Sequence, residues 1–128
     1  SAVLHISNEE KFAILREALY IVESGAATVE DLDNVMKYGL GLRYAALGPF
    51  LTADFGGLDT FKHISDYLFA DLCDQKEGSQ TLSKLVEEGR LGVKSGAGFY
   101  DYSNGKDQDA IRQRDELFIK LSKCLYLK

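Results

Sequence analysis

Apolar residues recur at intervals of three and four positions along most of this chain. That interval places side chains on one face of an α-helix. No stretch alternates apolar and polar residues over the length of a strand. We therefore predict an all-α fold, a compact multi-helix domain of about five or six helices. Three of the apolar stripes are Phe12, Leu15, Leu19 and Val22; Phe61, Ile64, Leu68 and Leu72; and Ile111, Phe118, Leu121 and Leu125.

Capping residues and glycines predict where the helices begin and end. A first helix is expected to start near Asn8, where Ser7 and Glu10 have the spacing of a capping box, and to end at Ser24-Gly25. A second helix is expected to begin at Thr28 and to end at the glycines 39 and 41.

The rest of the chain follows the same rules. The only proline, Pro49, suits the first turn of a short helix. The Gly56-Gly57 pair is expected to break the chain before a helix that starts at Asp59 or Thr60 and reaches Leu72. Further helices are predicted over residues 79–88 and 107–125, separated by an irregular glycine-rich segment over residues 89–105.

Length and charge limit the classes of protein to which this chain can belong. A chain of 128 residues favours a single domain spanning 1–128. A net charge of −5 and a pI near 5.0 argue against nucleic acid and against anionic membranes as partners. No apolar run has the length of a membrane span, and two cysteines, Cys73 and Cys124, are too few for a disulfide framework. A reduced cytoplasmic location is expected.

The chain contains no complete motif for cofactor or metal binding. Gly39-Leu40-Gly41 begins like a dinucleotide fingerprint, but it lacks the third glycine and follows a helix instead of a strand. His5 and His63 are isolated from other metal ligands in the sequence. We therefore predict no cofactor-binding and no metal-binding residues in this chain.

Several short motifs, taken in order, carry a family resemblance. The order and spacing closely resemble the C-terminal domain of the 3-hydroxyacyl-CoA dehydrogenase family, from about Asn8 to Tyr102. The motifs are Leu15-Arg16-Glu17-Ala18-Leu19, Val22-Glu23-Ser24-Gly25, Glu30-Asp31-Leu32-Asp33 with Met36, Gly39-Leu40-Gly41, Gly48-Pro49-Phe50 with Asp54, Gly57-Leu58-Asp59 and the segment from Gly92 to Tyr100.

The resemblance implies a fold and an activity. Members of that family pair an N-terminal Rossmann domain, which binds NAD and carries the catalytic histidine, with a helical domain that covers the substrate and forms a dimer. The helical domain is similar to the 6-phosphogluconate dehydrogenase C-terminal-like fold. The resemblance thus implies a chain that is inactive alone, lacks its own Rossmann domain, forms a homodimer, and contributes to oxidation of a 3-hydroxyacyl-CoA to the 3-ketoacyl form. A non-catalytic helical dimerisation module is the alternative outside enzymes.

Asn8 is the catalytic candidate that the resemblance implies. It lies where the family has an active-site asparagine at the start of the first C-terminal helix. An amide can donate a hydrogen bond to the substrate oxygen or hold the catalytic histidine in one tautomer. The alternative is that Asn8 only caps the helix beside Ser7. The flanking residues differ from the family pattern, since Leu4-His5 and Glu9 replace the usual Gly-Phe and arginine.

Arg43 is the candidate substrate-binding residue. Many acyl-CoA members read Pro-Met-Gly-Pro in this loop, and Arg43 instead resembles the branch with lambda-crystallin, L-gulonate 3-dehydrogenase and L-carnitine dehydrogenase. Its guanidinium can bind a free carboxylate through two parallel hydrogen bonds, which implies a small hydroxy acid as the alternative substrate. A structural salt bridge, or hydrogen bonds to the carbonyls that end the second helix, are the other roles for Arg43. Gly57-Leu58-Asp59, by contrast, resembles the hydroxybutyryl-CoA branch.

Two further basic residues lie in the glycine-rich segment. Arg90 and Lys94 could contact phosphates of a CoA or cofactor. The alternative is that they are solvated or pair with Glu87 and Glu88.

Overall fold

The structure, a computed structural model, describes the backbone of residues 2–126 and the side chains of residues 5–126. Within that part the regular elements are helices, and the only β-pairing consists of the isolated bridges Gly92–Ala97 and Ala97–Asp101. The all-α prediction is therefore confirmed. The chain divides into two units, one up to Glu77 and one from Gly78 onward, and each is described by itself.

The first helix, α1, begins earlier than the sequence predicted. It spans Ala2–Glu23, so Asn8 lies inside the helix and not at its start. Residues 2–7 contain no glycine or proline to stop a helix. His5 Nε2 also lies 2.9 Å from the Glu9 carboxylate one turn later, across the (i, i+4) spacing that supports helices. The predicted end is confirmed, since Gly25 has φ 82°.

Helix α2, Val29–Val35, begins where the sequence predicted. The Asp31 N–H donates to Thr28 Oγ1 (3.0 Å), and the Thr28 N–H donates to Asp31 Oδ2 (3.1 Å). This reciprocal pair is a complete capping box, which satisfies two N–H groups at the helix terminus that would otherwise lack partners.

The prediction that the glycines at 39 and 41 end this helix is wrong. One turn of π-helix, Met36–Leu40, continues directly into α3, Gly41–Ala46. Gly41 has φ −61°, an ordinary helical value. These glycines therefore do not provide the left-handed backbone that usually ends a helix.

Two more helices complete the first unit. Pro49 lies in the first turn of α4, Gly48–Gly56, as predicted. Gly57, at φ 93°, separates it from α5, Leu58–Leu68. This helix ends before Leu72, because a 3₁₀ turn over Phe69–Asp71 follows it.

Two hydrogen bonds join the segment after α5 to α1. The Cys73 N–H donates to the Glu17 carboxylate (2.7 Å), and Arg16 donates to the carbonyl of Gln75 (3.4 Å). These hydrogen bonds join residues far apart in sequence and hold the end of the unit on its first helix.

The second unit contains α6, Gln80–Glu87, and α7, Lys106–Leu125, joined by the glycine-rich segment. Ser79 caps α6 by accepting from the Leu82 N–H (3.1 Å). Arg90 Nε donates to the Gly98 carbonyl (2.9 Å). The guanidinium of Arg90 thus holds the segment together from within.

Many large apolar side chains remain exposed. Among residues 5–126 no large apolar side chain is fully buried, and Phe50, Phe55 and Tyr38 are 89%, 75% and 73% exposed. Extended apolar surface of this kind usually marks contact with another protein surface. In the part of the chain that the structure describes, no helix is long and apolar enough to cross a bilayer.

Asp101 has a pKa held below its ordinary value. Its carboxylate accepts from the Ser103 hydroxyl (2.9 Å) and the Ser103 N–H (3.2 Å), and Lys106 lies 3.7 Å away. Hydrogen bonds to the charged form lower a carboxyl pKa. A lowered folded-state pKa stabilises the fold above the unfolded pKa, and this contribution is lost as pH falls through the folded pKa.

We expect Ser103→Ala to raise the pKa of Asp101 towards its ordinary value. The variant should be less stable than the unmodified chain above the unfolded pKa of this carboxyl, and the difference should shrink as the pH falls through the folded pKa. Ser122→Ala on α7 should show no such pH-dependent difference. Titration of the side-chain carboxyl carbon by NMR measures the pKa directly. An unchanged titration midpoint in Ser103→Ala would contradict the assignment.

Candidate functional site

A cavity of about 520 Å³ lies among the helices of the first unit. That volume is within the range of pockets that bind small molecules. The lining combines a basic side chain and hydroxyl-bearing side chains with apolar and aromatic ones. Its residues are Leu40, Arg43, Tyr44, Leu47, Thr52, Phe55, Gly56 and Phe61.

Arg43 is the charged residue of this lining. It lies on α3, one turn after the π-helix. Among residues 5–126 its guanidinium makes no ion pair and no hydrogen bond. Among these residues Arg43 therefore forms neither a structural salt bridge nor hydrogen bonds to the carbonyls that end the second helix. Its positive charge is available to an anionic ligand.

Thr52, on α4, is a polar group that sequence analysis missed. Its Oγ1 is shielded from solvent and has no hydrogen-bond partner among residues 5–126. A buried hydroxyl without a partner costs free energy, on the order of 1–3 kcal/mol. The one available signal in the sequence was a hydroxyl residue among the apolar residues that follow Pro49.

Two glycines, one in the cavity lining and one next to it in sequence, let other atoms approach their Cα closely. The Gly41 N–H donates to the Met36 carbonyl across the π turn, and a Cβ on Gly41 would lie 2.5 Å from that oxygen. A Cβ on Gly56 would lie 2.5 Å from Cε1 of Phe61. π-turns inside helices occur often at functional sites, and this one directly precedes α3, the helix that carries Arg43.

Asn8 is placed elsewhere. It is exposed on α1 and is not among the residues that line the cavity. Because it lies inside the helix, it does not cap it. The structure thus brings Arg43 to the cavity and leaves Asn8 outside its lining.

Comparison with known proteins places the chain in a family. The family model for the 3-hydroxyacyl-CoA dehydrogenase C-terminal domain matches residues 5–102. The chain belongs to this family. The matched residues include every residue of the cavity, while α7 lies beyond the matched range.

The names of two relatives indicate two different kinds of substrate. A 5-formyl-3-hydroxy-2-methylpyridine 4-carboxylate 5-dehydrogenase from Mesorhizobium japonicum is 35% identical over 120 residues, which are 94% of this chain and 39% of the relative. A probable 3-hydroxybutyryl-CoA dehydrogenase from Bacillus subtilis is 43% identical over 98 residues, 76% of this chain and 33% of the relative. The chain therefore spans less than half the length of these relatives.

A solved structure agrees with the fold. The crystal structure of a 5-formyl-3-hydroxy-2-methylpyridine 4-carboxylic acid 5-dehydrogenase, described as an NAD⁺-dependent dismutase, superposes with a TM-score of 0.90 at 30% identity. The match covers 94% of this chain and 39% of that one.

Proposed function

We propose that this chain is the C-terminal domain of an NAD-dependent 3-hydroxyacyl-CoA dehydrogenase, spans residues 1–128 as one domain, and forms a wall of the substrate site. The match of the family model to residues 5–102 carries this proposal. The name of the Bacillus subtilis relative supports a 3-hydroxyacyl-CoA as substrate. The complete enzyme would oxidise the 3-hydroxyl group to a ketone.

A small molecule with a free carboxylate is the second candidate substrate. Arg43 favours it, because an unpaired guanidinium at an apolar cavity can bind a carboxylate through two hydrogen bonds. In a CoA thioester the corresponding carboxyl group is bonded to sulfur and carries no charge. The Mesorhizobium japonicum relative, named for a pyridine carboxylate, supports this candidate as well.

The nicotinamide cofactor would be held by a separate N-terminal domain. Gly39 and Gly41 lie in continuous helical backbone, and the Gly41 N–H already donates to the Met36 carbonyl. These groups do not fit a pyrophosphate, which needs free N–H groups at the start of a helix. NAD, when bound by that domain, would accept the hydride.

The remaining roles concern partners and Asn8. The exposed apolar side chains support burial against the N-terminal domain and against a second copy in a homodimer. Asn8 is exposed on α1, where an amide can donate to a substrate or histidine on a domain packed over it. We place the enzyme in the cytoplasm.

Activity of the complete protein tests this proposal. We expect the full-length protein that carries this chain to form NADH from NAD and 3-hydroxybutyryl-CoA, and the isolated chain to form none. Free 3-hydroxybutyrate, supplied separately, tests the second substrate class. A full-length protein that dimerises but oxidises neither substrate would favour the non-catalytic dimerisation module.

A further inference from the structure

Two polar side chains, Arg43 and Thr52, belong to the lining of this cavity. Within the described side chains, residues 5–126, Arg43 has no anionic partner and Thr52 Oγ1 has no hydrogen-bond partner. Buried polar side-chain atoms in proteins nearly always have a partner. Thr52 Oγ1 is such an atom, whereas Arg43 is exposed and water can solvate its guanidinium. A shielded donor and a cation without a counter-ion in one lining point to a ligand that supplies acceptors to both.

Thr52 is unusual for a threonine inside a helix. Threonine in that setting commonly donates its hydroxyl to the carbonyl three or four residues earlier, and it populates two χ1 rotamers for that reason. Thr52 makes no such bond. Because Oγ1 is shielded from solvent in the structure, a hydrogen bond to a ligand in the cavity requires rotation about χ1, which moves the hydroxyl to another staggered position.

The apolar lining sets the shape of the ligand's body. The apolar part of the lining comes from three aromatic residues, Tyr44, Phe55 and Phe61, and from leucines 40 and 47. Aromatic rings pack favourably on one another in offset or edge-to-face arrangements. A planar ring fills such a space better than a charged or branched chain.

We propose that Thr52 is a specificity-determining residue: together with Arg43 it makes the cavity selective for a planar carboxylic acid. The guanidinium binds the two carboxylate oxygens, and the Thr52 hydroxyl donates to one of them. The ring lies among the three aromatic side chains. This inference rests on the second candidate substrate class proposed above, and it adds the second donor and the planar body of the ligand.

Calorimetric titration of the full-length protein with benzoate and with benzamide tests this inference. The two probes have the same ring and differ in the charge of one group. We expect benzoate to bind at least roughly 10-fold more tightly than benzamide, since hydrogen bonds to a charged group are the stronger ones. Thr52→Val keeps the volume and removes the hydroxyl, and it should weaken benzoate binding roughly 10-fold.

Two variants separate a ligand contact from a structural role. Thr52→Ser restores a hydroxyl and should bind benzoate within about threefold of the unmodified protein, because the donor is retained. Thr60→Val, on α5 outside the cavity lining, is the matched control and should leave benzoate binding unchanged. Thr52→Val should melt no lower than the unmodified protein, because it removes an unsatisfied buried hydroxyl.

Three results would overturn the inference: equal affinity for both probes, unchanged benzoate affinity in Thr52→Val, or loss of binding together with a lowered Tm in both Thr52 variants. Formation of NADH from 3-hydroxybutyryl-CoA and free 3-hydroxybutyrate is measured on the same preparations. Absence of that activity contradicts the proposed function alone. Retained activity with unchanged benzoate affinity in Thr52→Val contradicts only the role of Thr52.

Discussion

Gly41→Ala is expected to destabilise the fold by about 2 kcal/mol, as overpacking against a fixed group does. The added Cβ would lie 2.5 Å from the Met36 carbonyl oxygen, which is backbone and cannot swing aside. That oxygen also accepts the Gly41 N–H across the π turn, so relief of the clash must break the turn. Urea or thermal unfolding of the full-length protein measures the change.

Gly39→Ala is the matched control. It lies in the same π turn, two residues earlier, and a Cβ there meets no atom within 4 Å. Alanine is favoured over glycine inside a helix by about 0.5–1 kcal/mol, so this variant should be as stable as the unmodified protein or more stable. Equal losses in both variants would mean that the π turn does not depend on the contact at Gly41.

Arg43→Met should lower kcat/KM for a free carboxylate substrate by roughly 100-fold, because two charge-assisted hydrogen bonds are lost. Activity on a CoA thioester should change by less than about threefold, since it offers no carboxylate to the guanidinium. Steady-state NADH formation by the full-length protein with 3-hydroxybutyrate and 3-hydroxybutyryl-CoA measures both.

Two controls sharpen this experiment. Arg43→Lys keeps the charge and loses the paired hydrogen-bond geometry of the guanidinium. Its activity on the free acid should therefore lie between that of Arg43→Met and that of the unmodified protein. Lys37→Met removes a positive charge from the π turn outside the cavity lining, and it should affect neither substrate. If Arg43→Met lowered kcat/KM equally for both substrates, a role of Arg43 in carboxylate recognition would be contradicted.

Local chemistry explains the predictions that succeeded. Thr28 and Asp31 close a capping box, Pro49 lies in the first turn of α4, and Gly57 takes a positive φ before α5. Each of these outcomes depends on atoms within a few residues of one another. A single sequence contains all the information that such interactions need.

The errors arose where a residue type allows more than one structure. Glycine can end a helix or make room inside one. Gly41 does the second, and the Met36 carbonyl lies in the space that a Cβ would need. Ser7 and Glu10 have capping-box spacing, yet α1 begins at Ala2. The helix continues past a capping pattern when the preceding residues can themselves be helical.

The sequence by itself determined that this chain is helical, where most helices begin, and which family it belongs to, because periodicity, caps and ordered motifs are properties of the chain. Only the tertiary structure decided that Arg43 and Thr52 line one cavity, that Asn8 lies outside it, and that Arg90 holds its own loop. Those relations depend on how α3, α4 and α5 pack and on how the loop folds back. Distances between residues on different elements are fixed by packing, which spacing along a chain does not encode.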